Sequence, residues 1–197
     1  MAPRDTGTEQ LIKDTAKRIF FSEGKLHATT QDIADVAGVN RTLVHYYFRS
    51  REALFEIVAK EANDDLRNIL DSVLGGKQQF RDKLKKLISV FLDETMAYPY
   101  RELFLITEIK RHDKIRTEDK LDSPVKPFLE ELKAEMQNGN ITKMDPRQFM
   151  MNLFSLMAYP VLAASLNKSF MKISDAEFTK LMKQRKQIIF DMVYTKP

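Results

Sequence analysis

Between Asn40 and Arg51 the chain reads NRTLVHYYFRSR, an arginine, a threonine, a histidine and two tyrosines followed by two more arginines. At helical spacing Val44 and Phe48 fall four residues apart and pack inward, which leaves Arg41, Thr42, His45 and Tyr46 on another face. Those side chains suit the edge of a duplex nucleic acid. An arginine grips guanine O6 and N7 bidentately, a threonine meets a base edge or a thymine methyl, and aromatic hydroxyls donate to phosphate oxygens. A helix over residues 41–48 is roughly 12 Å long, and the DNA major groove is about 12 Å wide. Arg49 and Arg51 open the next helix, where the amides of its first turn join them in holding a phosphate.

Such a face needs elements that aim it, and the preceding residues supply them. Thr29 caps a helix that begins at Thr30, with Asp32 reaching back to the Thr29 amide in a capping box. Ile33, Ala34 and Ala37 form its narrow apolar face, and Ala34 is small enough for a second helix to cross closely. Gly38 ends the helix in a left-handed conformation, Val39 tucks inside the corner, and Asn40 caps the second helix. The spacing predicts a helix-turn-helix whose second helix enters the major groove. The competing structural reading is an ordinary helical corner, with Tyr47 and Phe48 as core.

Residues 11–55 resemble the amino-terminal domain of the tetracycline-repressor (TetR) family, through Leu11-Ile12, Thr15-Ala16, Ile19-Phe20, Gly24, Thr29, Asp32-Ile33-Ala34, Ala37-Gly38-Val39, Tyr46, Phe48 and Leu54. That resemblance implies base contacts from Gln31, Arg41, Thr42, Leu43, His45 and Tyr46, and backbone contacts from Thr29, Thr30, Tyr47 and Arg51. The chain departs from the family where Ser is common and Asn40 stands, where Tyr is common and His45 stands, and where His is common and Tyr47 stands. Asn keeps the cap and the two rings keep hydrogen-bonding atoms, so the role carries over while the operator sequence does not.

The whole chain fits this reading. Its 197 residues contain only 6 glycines and 7 prolines, and helix formers dominate. The expected architecture is all-α, with a three-helix helix-turn-helix DNA-binding domain over residues 1–50 and a helical ligand-binding and dimerisation domain over residues 51–197. The formal charge is only +4, so bulk charge does not point to nucleic acid; the positions of Arg41, Arg49 and Arg51 do. With no cysteine among the 197 residues, disulfide and thiolate chemistry are excluded and a reducing compartment is expected. No run has the length of a membrane span, and the first ten residues hold no apolar stretch; the expectation is a cytoplasmic protein without a membrane partner.

The first helix is expected from near Thr6 or Thr8 to before Gly24, with Leu11, Ile12, Ala16, Ile19 and Phe20 on one face. A connector helix runs from about Arg51 to Ser72, then a helix through residues 77–97, an apolar segment from Leu103 to Ile109 and a charged stretch from Lys110 to Asp122. Pro124 and Pro127 open a further helix closed by Gly139-Asn140. Asp145-Pro146 starts another, with a kink at Pro160, and Ser174 with Glu177 caps the last. These two terminal helices carry more apolar surface than one side of a small bundle needs. The family resemblance implies that they form a four-helix homodimer interface, and two readers one turn apart, roughly 34 Å, fit a near-palindromic double-stranded operator. Intramolecular core is the alternative.

Aromatic rings and thioethers in the middle helices, Phe91, Met96, Tyr98, Tyr100, Phe104, Phe128, Met150, Phe154, Met157 and Tyr159, are either core or the lining of a largely apolar pocket. The resemblance implies a small-molecule inducer there and a repressor released by it. An enzyme is not indicated. His27, His45 and His112 lack zinc-ligand spacing, no hydrolase motif is present, and no cofactor or metal is expected. Gly75-Gly76-Lys77 has Gln78 where a phosphate loop needs Ser or Thr and Asp71 where it needs Gly. A ligand-independent or architectural DNA-binding protein and a protein-binding adaptor remain rival classes.

Overall fold

The computed structural model describes residues 6–104 and 124–195. Every regular element among them is helical. The chain opens with α1, Thr6–Lys17, which runs into one π-helical turn at Arg18–Ser22. The wider turn lets three consecutive apolar side chains, Ile19, Phe20 and Phe21, all point inward and be buried. Leu11, expected on the same face, is instead exposed. Then come α2 (Thr30–Ala37), α3 (Arg41–Phe48), α4 (Arg51–Leu74) and α5 (Phe80–Ala97). Residues 99–104 are helical (α6). The chain ends with α7 (Val125–Gln137), α8 (Pro146–Leu162), α9 (Ala164–Met171) and α10 (Asp175–Val193). The charged stretch from Lys110 to Asp122, most of the apolar run from Leu103 to Ile109, and His112 lie outside the described residues.

The helices fall into two compact units, and the boundary differs from the expected break at residue 50. Of the described residues, the first unit holds those up to Leu66 and residues 97–104. Its core joins Ile12, Ala16, Ile19, Phe20, Phe21, Ile33, Ala34, Val44 and Phe48 to Leu54, Val58, Ala59 and Ala62 of α4. The opening half of α4 therefore belongs to the three helices before it, because its apolar stripe completes their core. Residues 97–104 are fastened to the same unit. Ser22 Oγ donates to the Ala97 carbonyl at 2.8 Å, and the Phe104 ring lies 5.8 Å from Phe21 and 4.7 Å from Phe55. Arg101, only 1% exposed, has its guanidinium 5.5 Å from the Tyr98 ring and 3.6 Å from the Glu102 carboxylate. Burial raises the Glu102 pKa above the usual carboxylate range.

The second unit packs the end of α4 with α5, α7, α8 and α10 around Leu84, Leu87, Ile88, Phe128, Leu132, Leu153, Met157 and Ile189. The buried Lys83 reaches Glu131 at 2.6 Å. Pro160 stands inside α8 rather than ending it, and α8 closes at Leu162. Proline has no amide to donate to the carbonyl four residues back. That carbonyl, of Leu156, accepts Arg185 Nε of α10 at 2.9 Å instead. The expected bend falls three residues later, at Ala163, where α9 leaves α8 at 71°. No single helix among the described residues is long and apolar enough to cross a membrane.

Candidate nucleic-acid interface

The corner between α2 and α3 forms as its residues dictate. Thr29 accepts the Asp32 amide at 3.2 Å while the Asp32 carboxylate accepts the Thr29 amide at 2.7 Å. The Thr29 amide, followed by its hydroxyl, holds the Asp32 pKa below the ordinary range. Gly38 sits at φ 67°, ψ 30°. Its amide donates to Asp35 O at 3.3 Å and the Val39 amide to Ala34 O at 3.0 Å, which closes the carbonyl end of α2. The Asn40 side chain then accepts the Thr42 amide at 2.8 Å and starts α3.

On α3 the division of faces is the expected one. Val44 and Phe48 are buried, whereas Arg41, Thr42, Leu43, His45 and Tyr46 are exposed, Tyr46 at 64%. The Tyr46 and Tyr47 rings stack edge to face with centroids 5.1 Å apart, and Tyr47 is half-buried against the core. Gln31, exposed on α2, donates to Asp35 at 2.6 Å. Arg41 has no hydrogen bond or ion pair to protein among the described residues, so its five donors face solvent. Arg49, just beyond α3, holds a backbone with φ 66° and ψ −48°. For a residue with a Cβ that conformation costs on the order of 1–3 kcal/mol.

Two of the expected phosphate contacts stand differently. Thr30 is only 6% exposed, because the first turn of α2 turns this side chain into the core; its hydroxyl is not displayed. Arg51 points back into the domain. Its Nε donates to the Ala28 carbonyl at 3.1 Å and its Nη2 to the Leu26 carbonyl, while the guanidinium lies 5.5 Å from the Phe20 ring and 5.2 Å from Phe55. It ties the loop before α2 to the start of α4. Sequence reasoning missed this because a basic residue at a helix start looks the same whether it faces a phosphate or a pair of carbonyls.

The residues expected to line a ligand pocket are distributed over separate packed clusters. Tyr100 and Phe104 belong to the first unit: a Cβ built on Gly24 would lie 2.6 Å from the Tyr100 ring, which shows how closely that ring covers the glycine. In the second unit Phe91, Phe128 and Met157 are buried core, with Met150 and Phe154 packed against them. Met96 packs on a separate small cluster of Val161, Phe178 and Met182. Cavities in the second unit are lined by other side chains. One of about 680 Å³ is bordered by Lys77, Arg81, Lys83, Glu131, Glu135 and Tyr194, and one of about 520 Å³ by Val125, Leu129, Lys133 and Arg147.

Two short helices meeting at a glycine corner, braced by a first helix, define a helix-turn-helix. Residues 12–58 match the family described as bacterial regulatory proteins, tetR family. It is similar to the HTH-type transcriptional regulator RutR of Escherichia coli K12, with 27% identity over 146 residues that cover 68% of this chain and 65% of that protein. It is also similar to the HTH-type transcriptional regulator BetI of Agrobacterium fabrum, 33% identical over 92 residues covering 44% of this chain and 45% of BetI. The chain thus spans less than two-thirds of the length of these relatives. Its fold is that of a TetR family transcription regulator from Marinobacter aquaeolei VT8, at a TM-score of 0.58 and 15% identity over all of both chains.

Proposed function

We propose that this chain is a sequence-specific DNA-binding transcriptional regulator that reads the major groove with α3. The observation that supports this most directly is the face of Arg41, Thr42, His45 and Tyr46, which is exposed and held at a fixed angle by the Thr29–Asp32 and Asn40 caps. A costly surface of rings and a free guanidinium on so small a helix is accounted for by a duplex. Arg41 supplies the bidentate donor for guanine, and the exposed Tyr46 meets a further base, as the resemblance implies. Such a regulator works in the cytoplasm, on chromosomal DNA.

The protein acts as a homodimer through α8 and α10. The support is apolar surface left uncovered in one copy: Met151 and Tyr159 of α8 and Leu181, Ile188 and Met192 of α10 are all exposed. Release of the regulator by a small molecule draws its support from the family resemblance, while Phe91 and Phe128, among the residues first expected to hold that molecule, are packed as core. The test of the reading as a whole is selection of bound fragments from the source genome, followed by Arg41→Ala. Recovery of a shared near-palindrome is expected, with a loss of about 1–3 kcal/mol confined to one base position of each half-site. Recovery of unrelated fragments, or a loss spread evenly over all DNA, would overturn it. Sedimentation at low micromolar concentration checks the dimer, which Ile188→Glu should dissociate.

A further inference from the structure

His45 differs from the other outward residues of α3 in being tied down at one ring nitrogen. Nδ1 lies 3.0 Å from the Arg49 carbonyl oxygen. A carbonyl oxygen only accepts, so the proton of that bond is on Nδ1. The same two residues are joined in the other direction, by the Arg49 amide donating to the His45 carbonyl at 3.0 Å. Together the bonds latch the end of α3 at the one place where the backbone of this corner, at φ 66° on a non-glycine residue, needs holding. The latch also fixes the imidazole against the helix end and settles its tautomer.

With Nδ1 carrying the proton, the other nitrogen of the neutral ring, Nε2, is a bare acceptor. It finds no partner in the protein among the described residues, and the side chain is exposed. A lone pair gains nothing from a phosphate oxygen, from guanine O6 or N7, or from thymine O4, all of which are acceptors too. The donors that the major groove offers are the exocyclic amino groups, N6 of adenine and N4 of cytosine. Resting on the DNA-binding reading above, we propose that His45 is a specificity-determining residue that accepts a hydrogen bond through Nε2 from the exocyclic amino group of one base in each half-site. Arg41, which only donates, and His45, which only accepts, then give α3 a donor and an acceptor four residues apart on one face. A tyrosine, common at this place in the resembled family, would donate to an acceptor instead.

The test uses the full chain and duplexes selected from a randomised library. Within the selected half-site each adenine is replaced in turn by purine and each cytosine by pyrimidin-2-one, which removes the amino group alone, and affinity is measured for the natural chain, His45→Phe and His45→Gln. The expected result is one position at which amino removal weakens the natural chain on the order of tenfold and leaves His45→Phe unchanged. An adenine at that position assigns N6, a cytosine N4. His45→Gln, whose amide oxygen still accepts, retains part of the effect. Equal losses in the natural chain and His45→Phe at every position, or a coupled position that proves to be a guanine or a phosphate, overturns the assignment while the DNA-binding reading stands. If no sequence is selected by the natural chain, both fall together. The helical circular dichroism of each variant, with its affinity for unselected duplex, shows that the fold and the phosphate contacts survive.

Discussion

Arg51 offers a test that separates holding the DNA from holding the domain. Replacing it by Met removes the guanidinium and keeps most of the stem. The structure gives this group two bonds to main-chain carbonyls, of Leu26 and Ala28, and two aromatic neighbours, Phe20 and Phe55. A hydrogen bond from a charged donor contributes about 1.5–3 kcal/mol, and a cation–ring contact at a partly exposed site about 0.5–1 kcal/mol. Because the side chain is 26% exposed, the lower ends apply and the whole comes to about 4 kcal/mol. Methionine packed on the same two rings returns about 1 kcal/mol, so Arg51→Met is expected to destabilise the first unit by about 3 kcal/mol. Urea unfolding followed by circular dichroism reads that loss as a lower midpoint. Binding to a selected operator across a salt series reads the other possibility, since one phosphate contact contributes about 0.9 to the slope of log affinity against log salt. The expected outcome is a lower midpoint with an unchanged slope. Arg51→Lys keeps the charge and loses the fork and the stacking, so it should share most of the instability. An unchanged midpoint with a slope reduced by about 0.9 would show that Arg51 holds a phosphate and refute the argument from its carbonyl partners.

Pro160 and Arg185 should be coupled in the second unit. Arg185→Met leaves the Leu156 carbonyl without a donor and is expected to cost about 1–2 kcal/mol; Pro160→Ala restores an amide to that carbonyl, so the double variant should recover most of the loss in the same unfolding assay. The glycines of the first unit should differ from each other. Gly38 is at φ 67° with open space around it, whereas Gly24, at φ 73°, lies under the Tyr100 ring. Gly38→Ala is therefore expected to cost only the strained backbone, about 1 kcal/mol, and Gly24→Ala about 2–3 kcal/mol through the ring it displaces, with Tyr100→Ala removing the difference. At alkaline pH the Tyr194 phenol, raised to about 12 first by burial and then by its bond to Glu135, keeps its proton beyond the range of an unperturbed phenol. Its neutral form is favoured in the folded state, so stability falls as pH rises from about 10, where the unfolded phenol ionises, to about 12. Ultraviolet absorbance of tyrosinate should show a late step that Glu135→Gln moves back toward the ordinary value.

The elements that position the reader were legible because each is set by local chemistry. Thr29 with Asp32, Gly38 and Asn40 act within four residues of themselves, and Val44 with Phe48 obeys the helical period; all take the expected places. What distance along the chain decides was not legible. The boundary moved from residue 50 to Leu66 because α4 spends its first half completing an apolar core begun by α1, and Ala97 to Phe104 joined that core from far downstream. Periodicity marks Tyr100 and Phe104 as apolar positions without saying against what, and the same rings serve a pocket or a packed contact equally well. Pro160 shows the converse: a proline marks a missing hydrogen bond, but whether the helix bends there depends on a distant donor, and Arg185 supplies one.

The candidate site resolves along the same line. Among the residues expected to meet DNA, those whose polar atoms are already bonded inside the protein are the ones that hold the corner: Thr29 and Asn40 on amides, Arg51 on carbonyls. Those left unbonded and exposed, Arg41 and Tyr46 above all, are the ones to which the proposed function assigns the bases. A reader built this way keeps its angle independent of what it reads, because changing an outward residue removes no bond that sets the helix. His45 is the exception, since one nitrogen serves the latch and the other is the one proposed for the groove. On that proposal, His45 is among the outward positions the one at which the choice of base is bound to the latch that closes α3.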